Sequence, residues 1–291
     1  MSAGWLFLAA MIVAYGGANL LQSIAAAKTD LHLEFHPRLL LRLGRHKAYL
    51  WGIGVQTLGS LLAFVARRDL PLFLVQAAVA AGLGVTALLG VLVLKWRLPL
   101  TEVVLLTLLG GGIAGLIVAA QPAPSHQIGV AGRIGLGAVL VGIGAAGFVA
   151  VRLRGAPGSV ALGSLAGLAF GATAVASRPL ASAHSVHQFV TDPLLYLLLA
   201  HLVVGQLLLG LAMQRGSTTA AVAAMDAAGA APAAVVGLLL LGDEVRPGLG
   251  WLAVVGFVVT LLSVIGLSYY AEPQHHHQVA DRHREKVDSR S

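Results

Sequence analysis

Nine stretches of this chain run for about 20 residues with hardly a charge in them. That is the length a helix needs to cross a hydrocarbon layer ~30 Å thick at 1.5 Å per residue. The segments lie at 3–25, 48–66, 70–93, 101–120, 131–151, 158–177, 193–213, 218–241 and 249–270. In lipid the backbone must satisfy its own hydrogen bonds, which leaves helices or closed barrels. A barrel strand alternates apolar and polar residues over about 10 positions, and these runs are continuous. Charged residues make up 11% of the chain, against ~25% in soluble domains. So little charge cannot cover a water-soluble globule. The expected fold class is an all-α polytopic membrane protein of about nine transmembrane helices. The 36 glycines suit close helix packing, which holds membrane helices together. In "TDPLLYLLLAHL", Thr191 or Asp192 is the expected cap, with Pro193 at the first helical position.

The basic residues set the expected orientation. With the N-terminus outside and the C-terminus inside, fourteen of the nineteen Lys and Arg residues are cytoplasmic. Only Arg67, Arg68, Arg133, Arg178 and Arg246 lie outside, as the positive-inside rule asks. Arg67–Arg68 is the awkward pair. Loop 36–47, "HPRLLLRLGRHK", reads equally as a helix on the inner leaflet or as a basic loop that sets topology. Segment one has no basic residue before it and is expected to stay as a span. The residues from 272 to 291 read as a polar cytoplasmic tail. Its "HHH" at 275–277 is expected to be tail rather than a metal site. The net charge of +7 is assigned to basic loops, not to nucleic-acid binding. There is no cysteine, so thiol chemistry is excluded. The Ala/Val/Leu/Gly bias suggests a bacterial chain, expected in the cytoplasmic (inner) membrane.

Two stretches look alike, 70–116 and 217–267. Each is an Ala/Gly-rich helix, a short charged turn with a proline and a second apolar helix. Corresponding helices of the two copies are five spans apart, and an odd offset inverts the second. Inverted repeats are the architecture of many secondary transporters. The expected halves are 1–120, with about four spans, and 121–271, with about five. "LLLLGDEV" (238–245) followed by "GWLAVVGFVVTLLSVIGL" (250–267) resembles the drug/metabolite transporter superfamily, and is similar to its nine-helix, magnesium-transporter-like branch. The matching positions are Pro232, Gly242, Glu244 and Gly256. The first copy has Lys95-Trp96-Arg97 at its turn and lacks the family's acidic residue. The resemblance covers about 70–120 and 190–270. It implies two inverted halves around a central cavity, with structural roles for Pro232, Gly242 and Glu244. The family's substrates are too varied to choose one.

Asp226, in "AAMDAAGAAPAAVV", is the one acid well inside a span. It lies about eight residues, or ~12 Å, from the cytoplasmic end of segment eight. A charge at that depth costs at least ~2.5 kcal/mol, so it must face a cavity, find a partner or be protonated. Pro232 removes one helical hydrogen bond and frees the carbonyl of Ala228. An acid near a freed carbonyl suits a cation or proton site, and a buried acid that bonds a neighbouring helix is nearly as good a reading. His201 reaches a similar depth in segment seven, so a His201–Asp226 proton relay is one expectation and a packing histidine the other. Gln206 is expected beside them. Tyr15, Asn19, Gln22 and Ser23 share one face of segment one. They line a cavity or serve as interhelical glue, as do Gln56 with Ser60 and the lone Gln76.

Nothing in the sequence points to an enzyme. There is no P-loop, no intramembrane carboxylate pair and no metal-ligand spacing, and no cofactor is implied. The expected function is secondary transport of a small polar metabolite or cation by alternating access. Asp226 would be the coupling or cation site, with His201, Gln206, Asn19, Gln22, Tyr15 and Gln56 around it. Two alternatives stand. One is a flippase for a lipid-linked sugar. The other is a non-transporting scaffold subunit of a cell-envelope complex. The sequence admits a homodimer or an envelope-protein partner beside the lipid bilayer, and leaves a metal unassigned.

Overall fold

The computed structural model describes residues 3–28, 47–94, 98–183, 185–215 and 218–267. The side chain of Gln22, loop 36–46, the turn Lys95–Arg97 and the tail from 272 with its histidines lie outside the described residues. The elements in chain order are α1 (Ala3–Lys28), α2 (Lys47–Asp69), α3 (Leu72–Leu94), α4 (Leu100–Ala119), β1 (Ala120–Gln121), α5 (Val130–Ala150), α6 (Gly155–Leu180), α7 (Val186–Thr191), α8 (Pro193–Arg215), α9 (Thr218–Leu240), β2 (Glu244–Val245) and α10 (250–267). Among the described residues, nine helices are long and apolar enough to cross a membrane. They fall on the nine expected segments. The chain is a multi-pass, all-helical membrane protein. Among the described helices, the six-residue α7 alone is too short to span.

Local chemistry explains the starts. Proline opens α8, where its missing N–H loses nothing, and Asp192 Oδ1 accepts from the N–H of Leu194 at 2.9 Å. Ser185 caps α7 by accepting from the N–H of Gln188 at 3.1 Å. Asp192 also lies 3.7 Å from the Arg133 guanidinium on α5.

Packing divides the bundle. Met11, Ala63, Leu74 and Ala78 join α1, α2 and α3 in one core. Leu162, Ala166, Leu208 and Ala221 join α6, α8 and α9 in another, which Ile143 of α5 also enters. Helix α5 packs mainly on α6 and α8. Most of its residues are exposed.

Glycine sets the closest approaches. Gly163, Gly167 and Gly171 of α6 touch the backbone at Ala221, Met225 and Gly229 of α9. Both series rise together in steps of four, so these two helices run the same way. A Cβ on Gly171 would sit 2.7 Å from the Gly229 carbonyl oxygen, and one on Gly229 equally 2.7 Å from that of Gly167. Helix α4 meets α10 in reverse order. A Cβ on Gly112 would lie 2.8 Å from the Gly256 carbonyl oxygen, and Gly266 meets Leu105. In α1 and α3, Gly16 meets Val85 and Gly82 meets Tyr15. There Thr86 Oγ1 donates to the carbonyls of Gly16 at 3.1 Å and Gly82 at 2.8 Å.

One end of the bundle is tied by a polar knot that the sequence did not announce. Arg178, near the end of α6, is wholly buried. Its Nη2 lies 2.8 Å from Asp243 Oδ1. Its Nη1 donates to the carbonyl of Leu70, and Nη2 also to that of Ala123 at 3.3 Å. Asp243 Oδ2 accepts from the N–H of Leu72 at 2.6 Å. Burial pushes the Asp243 carboxyl above its ordinary range. The Arg178 guanidinium and the N–H groups of Leu72 and Phe73 pull it back. Beside the knot, β1 pairs antiparallel with β2, Ala120 opposite Val245. Gly242 takes φ +74°, with the His126 ring against it. Glu244 is exposed and accepts from Gln121 Nε2 at 2.8 Å. Thus the α2–α3 turn, the end of α4, the end of α6 and the α9–α10 turn all meet at one end.

Two predictions follow from these contacts. Gly167→Val should destabilise the bundle by about 3 kcal/mol or more, because its side chain meets backbone that cannot yield. Gly144→Ala, with open space around it, should change little. Asp243→Ala should cost about 3–5 kcal/mol by leaving Arg178 buried without its counter-charge, and Arg178→Met with Asp243→Leu should recover most of that loss. Unfolding in mixed micelles measures both.

Candidate functional site

The six helices α1, α2, α3, α6, α9 and α10 line a partly open cavity of about 260 Å³. Four of the residues singled out from the sequence line it together: Tyr15, Asn19, Gln56 and Asp226. Gln76 lines it too. The cavity therefore takes side chains from both cores of the bundle.

The α6–α9 contact explains why Asp226 faces it. Ala221, Met225 and Gly229 turn their backbone to α6, and Asp226 is the next residue round the helix from Met225. It is half-buried. Among the described residues it makes no hydrogen bond or ion pair. Eight residues separate it from Thr218, so it lies ~12 Å from that end of α9. Pro232 lies inside the same helix, one turn beyond the cavity-lining Gly229.

The wall around Asp226 is neutral and polar on one side. Tyr15 Oη is 3.1 Å from Ser60 Oγ, which in turn donates to the Gln56 carbonyl at 3.1 Å. The other side is apolar, with Leu83, Phe170, Phe257 and Val264. Thr260 also lines the cavity, and its buried hydroxyl lies at Gly112 of α4.

Gln76 marks the end of the cavity nearest the knot. Its Oε1 accepts from Arg67 Nη2 at 3.0 Å, and Arg67 Nη1 donates to Ser177 Oγ at 3.1 Å. Arg67 makes no ion pair among the described residues. This resolves the awkward position of Arg67 in the loop count. It is a half-buried side chain near the end of α2, bonded to α3 and α6, and not a loop residue.

His201 and Gln206 do not join the site. His201 is fully buried, and its Nδ1 lies 2.8 Å from the carbonyl oxygen of Leu197 in its own helix. Its Nε2 has no hydrogen-bond partner, so the relay with Asp226 does not form. Gln206 is exposed on the outside of α8. Helix α8 contributes nothing to the cavity wall.

The sequence reading missed Arg67, Arg178 and Asp243 as charges bonded within the bundle. Only Asp243 carried a signal, since it sits beside the Glu244 of the turn motif. Glu102, in the first turn of α4, is also buried. Among the described residues no group of three or more His, Cys, Asp or Glu could hold a metal ion.

No protein-family model, curated protein or solved structure matches this chain.

A half-buried carboxyl without a partner in an apolar layer should react with a hydrophobic carbodiimide. Mass spectrometry should find the adduct on Asp226 and none on Asp243, which the knot encloses. Asp226→Asn should abolish the adduct on the α9 peptide.

Proposed function

We propose that this chain is a secondary transporter that moves a small polar metabolite or a cation by alternating access, with Asp226 as its coupling or cation site. One observation carries the reading. An acid unpartnered among the described residues faces a cavity built from both cores, with Tyr15, Asn19 and Gln56 in the same lining. Burying such an acid is costly, and packing alone gives it no partner here. Two residues of the polar stripe of α1, Tyr15 and Asn19, are part of that lining.

The helix directions support the two inverted halves. The N–H of Gly4 donates to Asp69 Oδ2 at 3.2 Å, so α1 begins where α2 ends. That is the knot end, where α6 ends. Helix α3 starts there and α9 finishes there. Helix α4 finishes there and α10 starts there. Each of the pairs α1/α6, α2/α8, α3/α9 and α4/α10 thus runs in opposite directions, as an inverted repeat requires. The likeness of the α9–α10 turn to the drug/metabolite transporter superfamily points the same way. Under the charge rule the knot end is the outer face of a bacterial inner membrane.

The absence of cysteine makes the test direct. Single cysteines at Asn19 and at Ala230, both on the cavity wall, are labelled with an impermeant thiol reagent, from outside in cells and from inside in inverted vesicles. Labelling from both sides, with a balance that Asp226→Asn shifts, is the expected result. Labelling from one side only, whatever stands at 226, would mean a static membrane subunit and remove the carrier mechanism.

A further inference from the structure

We propose that the ligand held at Asp226 is a small monovalent ammonium ion, an amine with a short uncharged body, and not a divalent metal ion. The proposal rests on the reading of this cavity as a carrier's binding site, and it names the class of cargo.

Charge decides the valence. Among the described residues Asp226 is the one carboxyl on the cavity wall, and its lining neighbours Tyr15, Asn19, Gln56 and Gln76 carry no charge at neutral pH. One carboxylate balances one positive charge in a medium of low dielectric, and a second charge would stay uncompensated. Magnesium also holds its waters and asks for near-octahedral oxygen ligands, commonly from carboxylates and phosphates. The magnesium-type branch that the sequence resembles therefore does not supply the cargo here.

Size and lining decide the body. The cavity of about 260 Å³ is several times the ~30 Å³ share of one water molecule. A bare alkali ion would leave most of it to water. Beside the acid lie Leu83, Val264 and the rings of Phe170 and Phe257. These walls suit a short hydrocarbon body.

Arg67 decides the orientation. It donates to the Gln76 side-chain oxygen at 3.0 Å, which occupies one of that oxygen's two lone pairs and sets the guanidinium charge behind the amide. That end is backed by a positive charge, and it repels an ammonium head. Counted from the knot end, Gln76 sits four residues into α3 and Asp226 fourteen into α9, depths of ~6 and ~21 Å. The head therefore goes to Asp226 and the body toward the knot.

The test is calorimetric titration of the full-length protein in nanodiscs at fixed ionic strength. The probes are methyl-, propyl- and butylammonium, with magnesium chloride, sodium chloride and butyrate in comparison. The expected result is saturable alkylammonium binding that tightens about fourfold per methylene, with no saturable heat from magnesium or butyrate. Asp226→Asn should weaken butylammonium binding by about tenfold or more, and Asp226→Glu should retain it. Ala230→Leu narrows the cavity and keeps the acid, so it should hold methylammonium and lose butylammonium. Three outcomes overturn the proposal: alkylammonium binding that ignores Asp226→Asn, tighter binding of magnesium, or displacement of butylammonium by equimolar sodium. Binding without two-sided cysteine labelling would keep the ligand class and remove the carrier. Two-sided labelling without alkylammonium binding would do the reverse.

Discussion

Hydrocarbon gives two helices no hydrophobic reason to associate, because lipid tails are as apolar as leucine. What holds this bundle is close packing, and the closest packing is backbone on backbone. Where α6 crosses α9, a glycine every fourth residue removes the side chains that would keep the helices apart. The cavity depends on that contact. With Met225 and Gly229 pressed onto α6, the helix has one rotation open to it, and that rotation turns Asp226 inward.

The same scarcity of polar partners shapes the knot. Arg178 and Asp243 meet only because neither can be left alone in an apolar layer, and backbone groups of the α2–α3 turn complete their coordination. A buried ion pair adds little net stability compared with an apolar pair. What it does supply is a specific geometry, because four chain segments must come together to satisfy it. The cavity lies on one side of this tie, and Arg67 with Gln76 and Ser177 forms the layer between them.

Much of the architecture was legible in the sequence because a bilayer enforces a simple rule. A span must be about 20 apolar residues, and the nine helices sit on the nine runs that meet it. The cap at Asp192 and the start at Pro193 were legible for a local reason, since both act within one turn. Asp226, Tyr15, Asn19 and Gln56 could be picked out as polar groups that need a dry partner or a wet cavity. Their meeting could not be read off, because it depends on helix rotation. His201 and Gln206 show how that fails. Five residues apart, they lie about 140° apart round a helix with 3.6 residues per turn. They could not both face Asp226. His201 shares its buried face with Gly205, Leu208 and Ala212, and there it bonds its own backbone. The arginines bonded within the bundle were hidden for another reason. A loop count treats every arginine near a span end as solvated, and only tertiary contacts tell Arg178 from Arg246.

Helix α5 sits at the edge, mostly exposed, and enters only one rim of the second core. Its value to the proposed repeat is topological. Four spans bring a chain back to the face it left, so two four-helix units joined by a loop would point the same way. A fifth span delivers the chain to the opposite face, and the second unit begins upside down. On this reading α5 is the turnstile that converts a tandem duplication into an inverted one. Its sequence is then free to drift as long as it still crosses, and the two units it joins keep the burden of fitting each other.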